Sequence, residues 1–259
     1  MSAYVYLTSP DKQSGHMFAD GAGYTDDGIV RWFGPKIICG EVAPFAITAI
    51  GNHELGEKLK AFMVRQADRL GVDDFFDIFL PEFLSELAMS YADAQHSADK
   101  HLAVVISAWS KTKGAFRLSF QTVTEPGRDD IQPFVAQITT DMAFRGPEFS
   151  PLRLMELRQP SPGEKPSDFM AYAGRAIMGF MRDVPAVQMR LRGTGAPPHY
   201  LVGGHIDMAT VDEKGARIER IHVWDDKIGE RIRPESAAAT VVPFGGNRKA
   251  RRAAKRKAA

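Results

Sequence analysis

The spacing between apolar residues changes along the chain from two residues to three or four residues, and then back to two residues. Alternating or short continuous apolar runs, bounded by Gly, Pro, Asp or Asn, predict β-strands. These runs fall at residues 3–7, 16–19, 29–33, 36–39, 45–50, 102–109, 115–121, 206–211 and 216–224. Several are separated only by a short polar turn, which predicts antiparallel hairpins.

Steps of three and four residues predict helices in the middle of the chain and again near residue 170. Apolar residues recur at these steps over 54–70 and over 75–94, where Pro81 marks a start or a kink. Ser167 is the expected N-cap of a third helix, which runs to about residue 181.

Hairpins that bracket pairs of helices are typical of antiparallel sheets covered by helices. The order of elements therefore predicts an α+β fold, a four-layer α-β-β-α sandwich of antiparallel sheets. We expect residues 1–233 to form a single domain, with 185–199 as an inserted surface loop and 234–259 as a flexible tail. The stretch 123–165 holds six prolines and shows no readable period.

Composition places the chain among ordinary folded proteins. It has 259 residues, 44% of them hydrophobic and 25% charged, which excludes the disordered, collagen-like and coiled-coil classes. The longest clean apolar run, residues 103–109, is far short of the roughly 20 residues that cross a bilayer. Charged residues near the start argue against a secretory signal, and Cys39 alone cannot form an internal disulfide. We therefore expect a cytoplasmic protein that does not bind membranes.

Charge is unevenly distributed along the chain. The end of the chain carries seven of the 33 basic residues and no acid: Arg248, Lys249, Arg251, Arg252, Lys255, Arg256 and Lys257. Without them, 26 basic residues remain against 32 acidic ones, a net charge of about −6 for the rest of the chain. Cationic segments of this kind bind phosphate groups without sequence preference. The tail is thus expected to bind nucleic acid or an acidic partner, and a merely solvated tail is the alternative.

The first fifty residues resemble the start of proteasome β-type subunits, which belong to the N-terminal-nucleophile (Ntn) hydrolases. The matching features are a strand directly after a small hydroxyl residue, a strand ending in Ala19-Asp20-Gly21, and sixteen residues from Asp20 to Lys36. The later order is also similar: two helices, a hairpin, a helix ending in Met181-Arg182-Asp183, and a hairpin led by Gly203-Gly204. The resemblance implies an Ntn-hydrolase fold, a homo-oligomer, and a peptidase or amidohydrolase activity.

The resemblance also implies roles for individual residues. Ser2, made N-terminal by removal of the initiator methionine, is the expected nucleophile, and its α-amine is the expected base. An α-amine has an ordinary pKa of roughly 7.7–8.0, low enough to accept the hydroxyl proton at neutral pH. Lys36 would lower this pKa further, Asp20 would hold Lys36, and the backbone N–H near Gly51 would form the oxyanion hole. Asp183 completes the expected catalytic set.

Two function classes stay open. The first is a serine-type Ntn hydrolase that cleaves a peptide or amide through an acyl-enzyme on Ser2. The second is a non-catalytic, proteasome-like assembly protein whose tail contacts nucleic acid or an acidic partner. The seven histidines never show the spacing of a zinc-binding helix, so no metal and no cofactor are expected. His205 and Asp207 alternate on one strand and are expected to form a surface or interface pair.

Overall fold

The described strands are all paired antiparallel. The structure is a computed structural model that describes residues 3–91, 101–124, 131–188 and 191–234. Within these residues there are two five-stranded sheets and one two-stranded ribbon. The strands are β1 (Tyr4–Thr8), β2 (Ser14–Asp20), β3 (Ala22–Tyr24), β4 (Val30–Phe33), β5 (Ile38–Cys39), β6 (Phe45–Gly51), β7 (Leu102–Ser110), β8 (Gly114–Gln121), β9 (Gln137–Thr139), β10 (Ala143–Arg145), β11 (His205–Asp212) and β12 (Gly215–Val223).

One face of each large sheet meets the other sheet. The strand order is β10-β1-β2-β11-β12 in the first sheet and β5-β6-β7-β8-β9 in the second, while β3 and β4 form the ribbon. Met17 and Ala19 of β2 belong to the same buried cluster as Ile50 of β6 and Val105 of β7. Because side chains alternate between the two faces of a strand, Phe18 points the opposite way, into a different cluster.

Helices cover the opposite face of each sheet. They are α1 (His53–Leu70), α2 (Val72–Asp74), a π-helical segment (Phe75–Phe79), α3 (Leu80–Ser90) and α4 (Pro166–Arg182). Met63 of α1 and Phe75 share a buried cluster with Ile106 of the second sheet. On the other side, Ile177 of α4 packs with Phe18 of the first sheet. The predicted α+β class with antiparallel sheets is thus confirmed.

The N-caps of the two longest helices differ from the sequence prediction. Asn52, which was not predicted, caps α1, and its Oδ1 accepts from the Leu55 N–H at 3.1 Å. The prediction of Ser167 as the N-cap of α4 is wrong, because the helix already begins at Pro166 and the cap residue is Lys165. Proline suits a first helical position, since its missing N–H would have no helical partner there.

The predicted helix over 75–94 is not one regular α-helix. It is preceded by α2, which begins at Val72, and it passes through the π-helical segment before α3. Pro81 lies at the start of α3, as expected for a residue without an N–H. Residues 92–100, including the predicted end of this helix, lie outside the described residues.

Part of the large apolar surface of these helices is used inside the molecule. Phe62 of α1 packs against Phe79 and Phe83, with ring centroids 5.9 and 5.5 Å apart. Ile78 and Met89 remain exposed in the same helical region. The homo-oligomer implied by the resemblance stays a prediction.

The proline-rich stretch contains two strands that its sequence did not predict. β9 and β10 are edge strands of the two large sheets, and a 3-10 helix, Pro151–Glu156, follows them. Each strand has only three residues, too few for an alternating pattern to appear. The predicted surface loop 185–199 is closed by a β-bridge between Ala186 and His199, and His199 is buried. This loop is therefore anchored to the body of the protein.

No described helix is long and apolar enough to span a membrane. Apart from Pro234, the predicted tail over 234–259 lies outside the described residues. The single domain over 1–233 stays a prediction.

Candidate active site

Asp20 and Lys36 form a buried ion pair, which their spacing predicted. Lys36 Nζ lies 2.9 Å from Asp20 Oδ2, and the two side chains are 8% and 0% exposed. The same ammonium donates to the carbonyl oxygen of Ala22 at 2.6 Å. The Ala22 N–H in turn donates to Asp20 Oδ2 at 3.3 Å. The pair is therefore held by the turn between β2 and β3 as well as by its own charges.

The local chain explains why these two side chains meet. Asp20 ends β2, and the next residue, Gly21, has no room for a Cβ because an imidazole ring occupies that space. Lys36 lies just before β5, and its carbonyl oxygen accepts from Thr48 Oγ1 at 3.2 Å and from Lys60 Nζ at 2.8 Å. A neighbouring strand and helix α1 thereby fix the backbone from which the Lys36 side chain extends.

The surroundings lower the pKa of Lys36. Burial is the largest cause, because it disfavours the charged ammonium. The Asp20 carboxylate opposes this effect, whereas the second buried ammonium, that of Lys60, adds to it. Lys60 has a carboxylate of its own, since Glu57 Oε1 lies 2.8 Å from its Nζ. Lys36 thus loses its proton more readily than an exposed lysine does.

Asp20 also contacts the start of the described chain. The Ala3 N–H donates to Asp20 Oδ1 at 3.0 Å in a buried position. This nitrogen belongs to the peptide bond that joins Ala3 to Ser2. Met1 and the expected nucleophile Ser2 lie outside the described residues. The Asp20–Lys36 pair is therefore bonded to the residue that follows Ser2 in the chain.

Gly51 ends β6 in a conformation that favours glycine. Its φ is +127°, and a Cβ there would lie 2.0 Å from the carbonyl oxygen of His101. Gly51 lies opposite Leu102 in the pairing of β6 with β7. The Leu102 N–H donates to Thr122 Oγ1, and the Leu102 carbonyl oxygen accepts from the Thr122 N–H, so neither group bonds to Gly51. The Gly51–Leu102 pair is therefore of the non-hydrogen-bonded kind, so the Gly51 N–H points away from β7. On that side β5 pairs only with the first part of β6, and Gly51 itself is exposed.

His101, which the sequence analysis did not select, lies beside Gly51. Its side chain is buried, and its Nε2 has no hydrogen-bond partner among the described residues. Burial, together with the charge of Arg145, lowers the pKa of His101 to about 4, so the ring is neutral at neutral pH. A single histidine before a strand carries no distinctive sequence signal, which is why only the structure identifies it.

Asp183 lies at the C-terminal end of α4, where it meets Arg153. It is the residue that ends α4, and its Oδ2 accepts from Arg153 Nη1 at 3.1 Å. Both residues line a cleft beside α4. The catalytic role that the resemblance implies for Asp183 stays a prediction.

His205 and Asp207 are buried, so the expected surface pair is wrong. His205 Nε2 lies 3.1 Å from Asp207 Oδ2, and Arg220 Nε donates to Asp207 Oδ1 at 2.9 Å. β11 is an inner strand between β2 and β12, a position that alternation along the sequence could not reveal. Burial is the main reason that the pKa of His205 is lowered.

The remaining candidates add no catalytic group to the site. Burial raises the pKa of the Cys39 thiol to about 12, which makes it a poor nucleophile. Within the described ranges, no group of three His, Cys, Asp or Glu side chains could hold a metal ion. The basic residues from Arg248 to Lys257, expected to bind nucleic acid, lie outside the described residues.

Known proteins do not assign the chain to a family. No protein-family model matches it, and neither does any curated protein. The geometry around Asp20, Lys36 and Gly51 is therefore the basis for a functional proposal.

Proposed function

We propose that this protein is an Ntn-type peptidase or amidohydrolase that uses Ser2 as its nucleophile after removal of Met1. The observation that carries the proposal is the buried Asp20–Lys36 pair, whose carboxylate binds the amide nitrogen of Ala3. A buried ammonium fixed next to the start of the chain is what an N-terminal serine needs in order to lose its proton.

The packing of the described elements supports the corresponding fold. Two antiparallel sheets share a buried cluster between them, and each has helices against its other face. This arrangement corresponds to the four-layer α-β-β-α sandwich that we propose for the chain. In such a sandwich the end of β2, the approach to β5 and the end of β6 all contribute to one site.

The proposed reaction proceeds in two steps. The α-amine of Ser2 takes the hydroxyl proton while Oγ attacks the carbonyl carbon of the substrate amide. The C–N bond then breaks, the proton passes to the departing amine, and an ester to Ser2 remains. In the second step the same α-amine takes a proton from water, whose oxygen attacks the ester and releases a carboxylic acid and free Ser2.

Lys36, Asp20 and the N–H of Gly51 would assist these steps. The positive charge of Lys36 disfavours a proton on the nearby α-amine, so that more of the amine is free to act as base. Asp20 keeps that charge in place through its contact with Lys36 Nζ. The N–H of Gly51, which points away from β7, would donate to the oxyanion of the tetrahedral intermediate.

Intact-protein mass spectrometry tests the first requirement. We expect the purified protein to lack Met1. A peptide epoxyketone then tests the site itself, because its ketone reacts with a hydroxyl and its epoxide with an amine on the same residue. We expect this reagent to add to the wild-type N-terminal peptide and not to that of Ser2→Ala.

Two lysine variants separate catalysis from general reactivity. Lys36→Met should slow the labelling at least tenfold, whereas Lys58→Met, on the exposed side of α1 with a side chain 73% exposed, should leave it unchanged. A retained Met1, or equal labelling of wild type and Ser2→Ala, would contradict the proposal. The non-catalytic assembly protein is then the remaining reading.

A further inference from the structure

A second site is suggested by a cleft beside the C-terminal half of α4, far along the chain from Asp20 and Lys36. We call it the basic cleft and define it by Arg153, Arg175, Gly179, Phe180, Arg182 and Trp224. Its volume is about 280 Å³, close to the lower limit of about 300 Å³ for small-molecule sites. A ring with one charged substituent is of a suitable size.

Gly179 leaves open space at the floor of the basic cleft. A Cβ at this position would meet no atom within 4 Å. Glycine inside a helix is unfavourable compared with alanine, and here no neighbouring side chain requires it. A residue that breaks a local rule without a packing reason is a sign of function. The absent side chain is what keeps the cleft open.

Aromatic rings form two walls of the basic cleft, and each carries a guanidinium. Arg153 lies over the Phe180 ring at 4.2 Å, and Arg182 lies over the Trp224 ring at 4.6 Å. Stacking of this kind fixes the planar guanidinium groups, so less conformational entropy is lost when they bind a ligand. The walls therefore offer both apolar area and oriented donors.

The charges of the basic cleft are only partly compensated. Asp226 neutralises Arg182 through two short contacts, and Asp183 and Glu156 face Arg153 at 3.1 and 3.7 Å. Arg175 is exposed and has no carboxylate partner among the described residues. Arg182 also keeps a buried Nε for which the described residues supply no hydrogen-bond acceptor. The guanidinium of Arg175 thus lines one small space between aromatic walls without a carboxylate partner among the described residues.

We propose that the basic cleft binds a small flat organic molecule that carries an oxyanion, either a carboxylate or a phosphate. The oxyanion bonds to the exposed Arg175 and to the partly exposed Arg153, since the guanidinium fork matches both groups. The flat part lies over Gly179 between the aromatic side chains. This inference does not depend on the proposed Ser2 chemistry, because Asp20, Lys36 and Gly51 do not line the cleft.

Two-dimensional ¹H–¹⁵N NMR of the full-length protein tests the inference, with phenyl phosphate and benzoate as probes. We expect at least one of them to shift the Gly179 amide and the Trp224 indole signal in a saturable way. The indole signals of Trp32 and Trp109, which lie elsewhere, should not move. Binding by phenyl phosphate alone or by benzoate alone supports the proposal and identifies the charged group. Equal binding of inorganic phosphate, or of uncharged benzyl alcohol, would overturn it.

Variants then show whether the cleft itself is responsible. Gly179→Leu fills the floor with a good helix former, and Arg175→Gln removes the uncompensated charge from an exposed position. We expect each to raise the dissociation constant at least tenfold, while Arg69→Gln, an exposed arginine near the end of α1, changes it less than twofold. A dissociation constant within twofold of wild type for either cleft variant would overturn the proposal. The dispersion of the same spectra shows that the variants are folded.

Discussion

Two cation–carboxylate pairs among the described residues have both side chains buried, and they are built differently. In the first, Lys36 meets one oxygen of Asp20, and the ammonium donates its other observed bond to a backbone carbonyl. In the second, Arg182 meets both oxygens of Asp226 at 2.8 and 2.7 Å. Both pairs are almost completely shielded from water.

The two pairs differ in the further hydrogen bonds that the cation makes and in how readily the cation loses its proton. Arg182 also donates to the carbonyl oxygens of Val202 and Arg233, and Asp226 accepts from the Gly204 N–H. A guanidinium stays charged at every ordinary pH, so this pair joins the end of α4 to the strand-opening glycines permanently. Lys36 is an ammonium with a lowered pKa, and it is bonded to fewer groups. The first pair suits chemistry, and the second suits structure.

The largest expected effect comes from breaking the arginine pair. Arg182→Met leaves the buried Asp226 carboxylate without its cation, which should reduce the free energy of unfolding by about 3–5 kcal/mol. Urea denaturation followed by circular dichroism measures it. Arg217→Met is the control, because its ion pair with Asp212 is largely exposed and such pairs contribute about 0–1 kcal/mol. Equal losses for the two variants would show that the pair is not a structural tie.

The next prediction concerns His16, a buried histidine whose ring is neutral in the folded protein at neutral pH. Burial is the main cause that lowers the pKa of His16 from 6.5 to about 4, and its ring contacts Ser14 and Thr210. Between pH 6.5 and about 4, His16 binds a proton in the unfolded chain but not in the folded protein. Stability is therefore complete above pH 6.5 and is lost as the pH falls to about 4, by up to about 3 kcal/mol from this residue.

His16→Gln should remove that part of the acid sensitivity, which urea titrations at pH 7 and pH 4 would show. The comparison is with His53→Gln, whose side chain is 64% exposed on α1. If the wild type and His16→Gln lose the same stability between the two pH values, His16 is not the group responsible.

Removing the lysine should cost less than removing the arginine. After Lys36→Met, the buried Asp20 carboxylate still accepts from the N–H groups of Ala3 and Ala22. We therefore expect a loss of about 2–3 kcal/mol, below the range for a buried charge left entirely unpaired. Urea denaturation at pH 7 measures it, with Lys58→Met as the exposed control. If Lys36→Met lost as much free energy of unfolding as Arg182→Met, the expected difference between the two pairs would be wrong.

The smallest expected effect is an increase in the free energy of unfolding, caused by a substitution at the floor of the basic cleft. Gly179→Ala places a methyl group in open space inside α4, so it should raise the free energy of unfolding by about 0.5–1 kcal/mol. Thermal unfolding would detect the change as a higher Tm. Gly174→Ala is the matched control in the same helix, because a Cβ there would lie 2.3 Å from the Phe18 ring and should destabilise the protein. A lower Tm for Gly179→Ala would mean that the floor of the cleft is packed.

Long elements with clear periods were predicted well from the sequence, and short or irregular ones were not. The strand over 102–109 and the helix over 54–70 differ from the observed β7 and α1 by one residue at one end. β9 and β10 were missed, since three residues in a proline-rich stretch carry too little pattern. The predicted start of α4 was wrong because Ser167, a hydroxyl residue, is a typical N-cap, whereas the helix already begins at Pro166.

The site shows the same division. The predicted contact of Asp20 with Lys36 is present, although β2 and β5 belong to different sheets. His101 and the burial of His205 could not be predicted, since both depend on which strands lie side by side. The cleft beside α4 also escaped detection, because its arginines lie on α4 and on the 3-10 helix that precedes it.

By itself the sequence determined the class of the fold and the positions of its long strands and helices. These follow from local periodicity and short separations, which every stretch of chain carries in its own side chains. The tertiary structure alone decided that Asp183 faces Arg153, that His205 is buried, and that the Gly51 N–H points away from β7. Each of these depends on contacts between residues distant in the sequence, and burial, pKa and hydrogen-bond direction arise only when such contacts form.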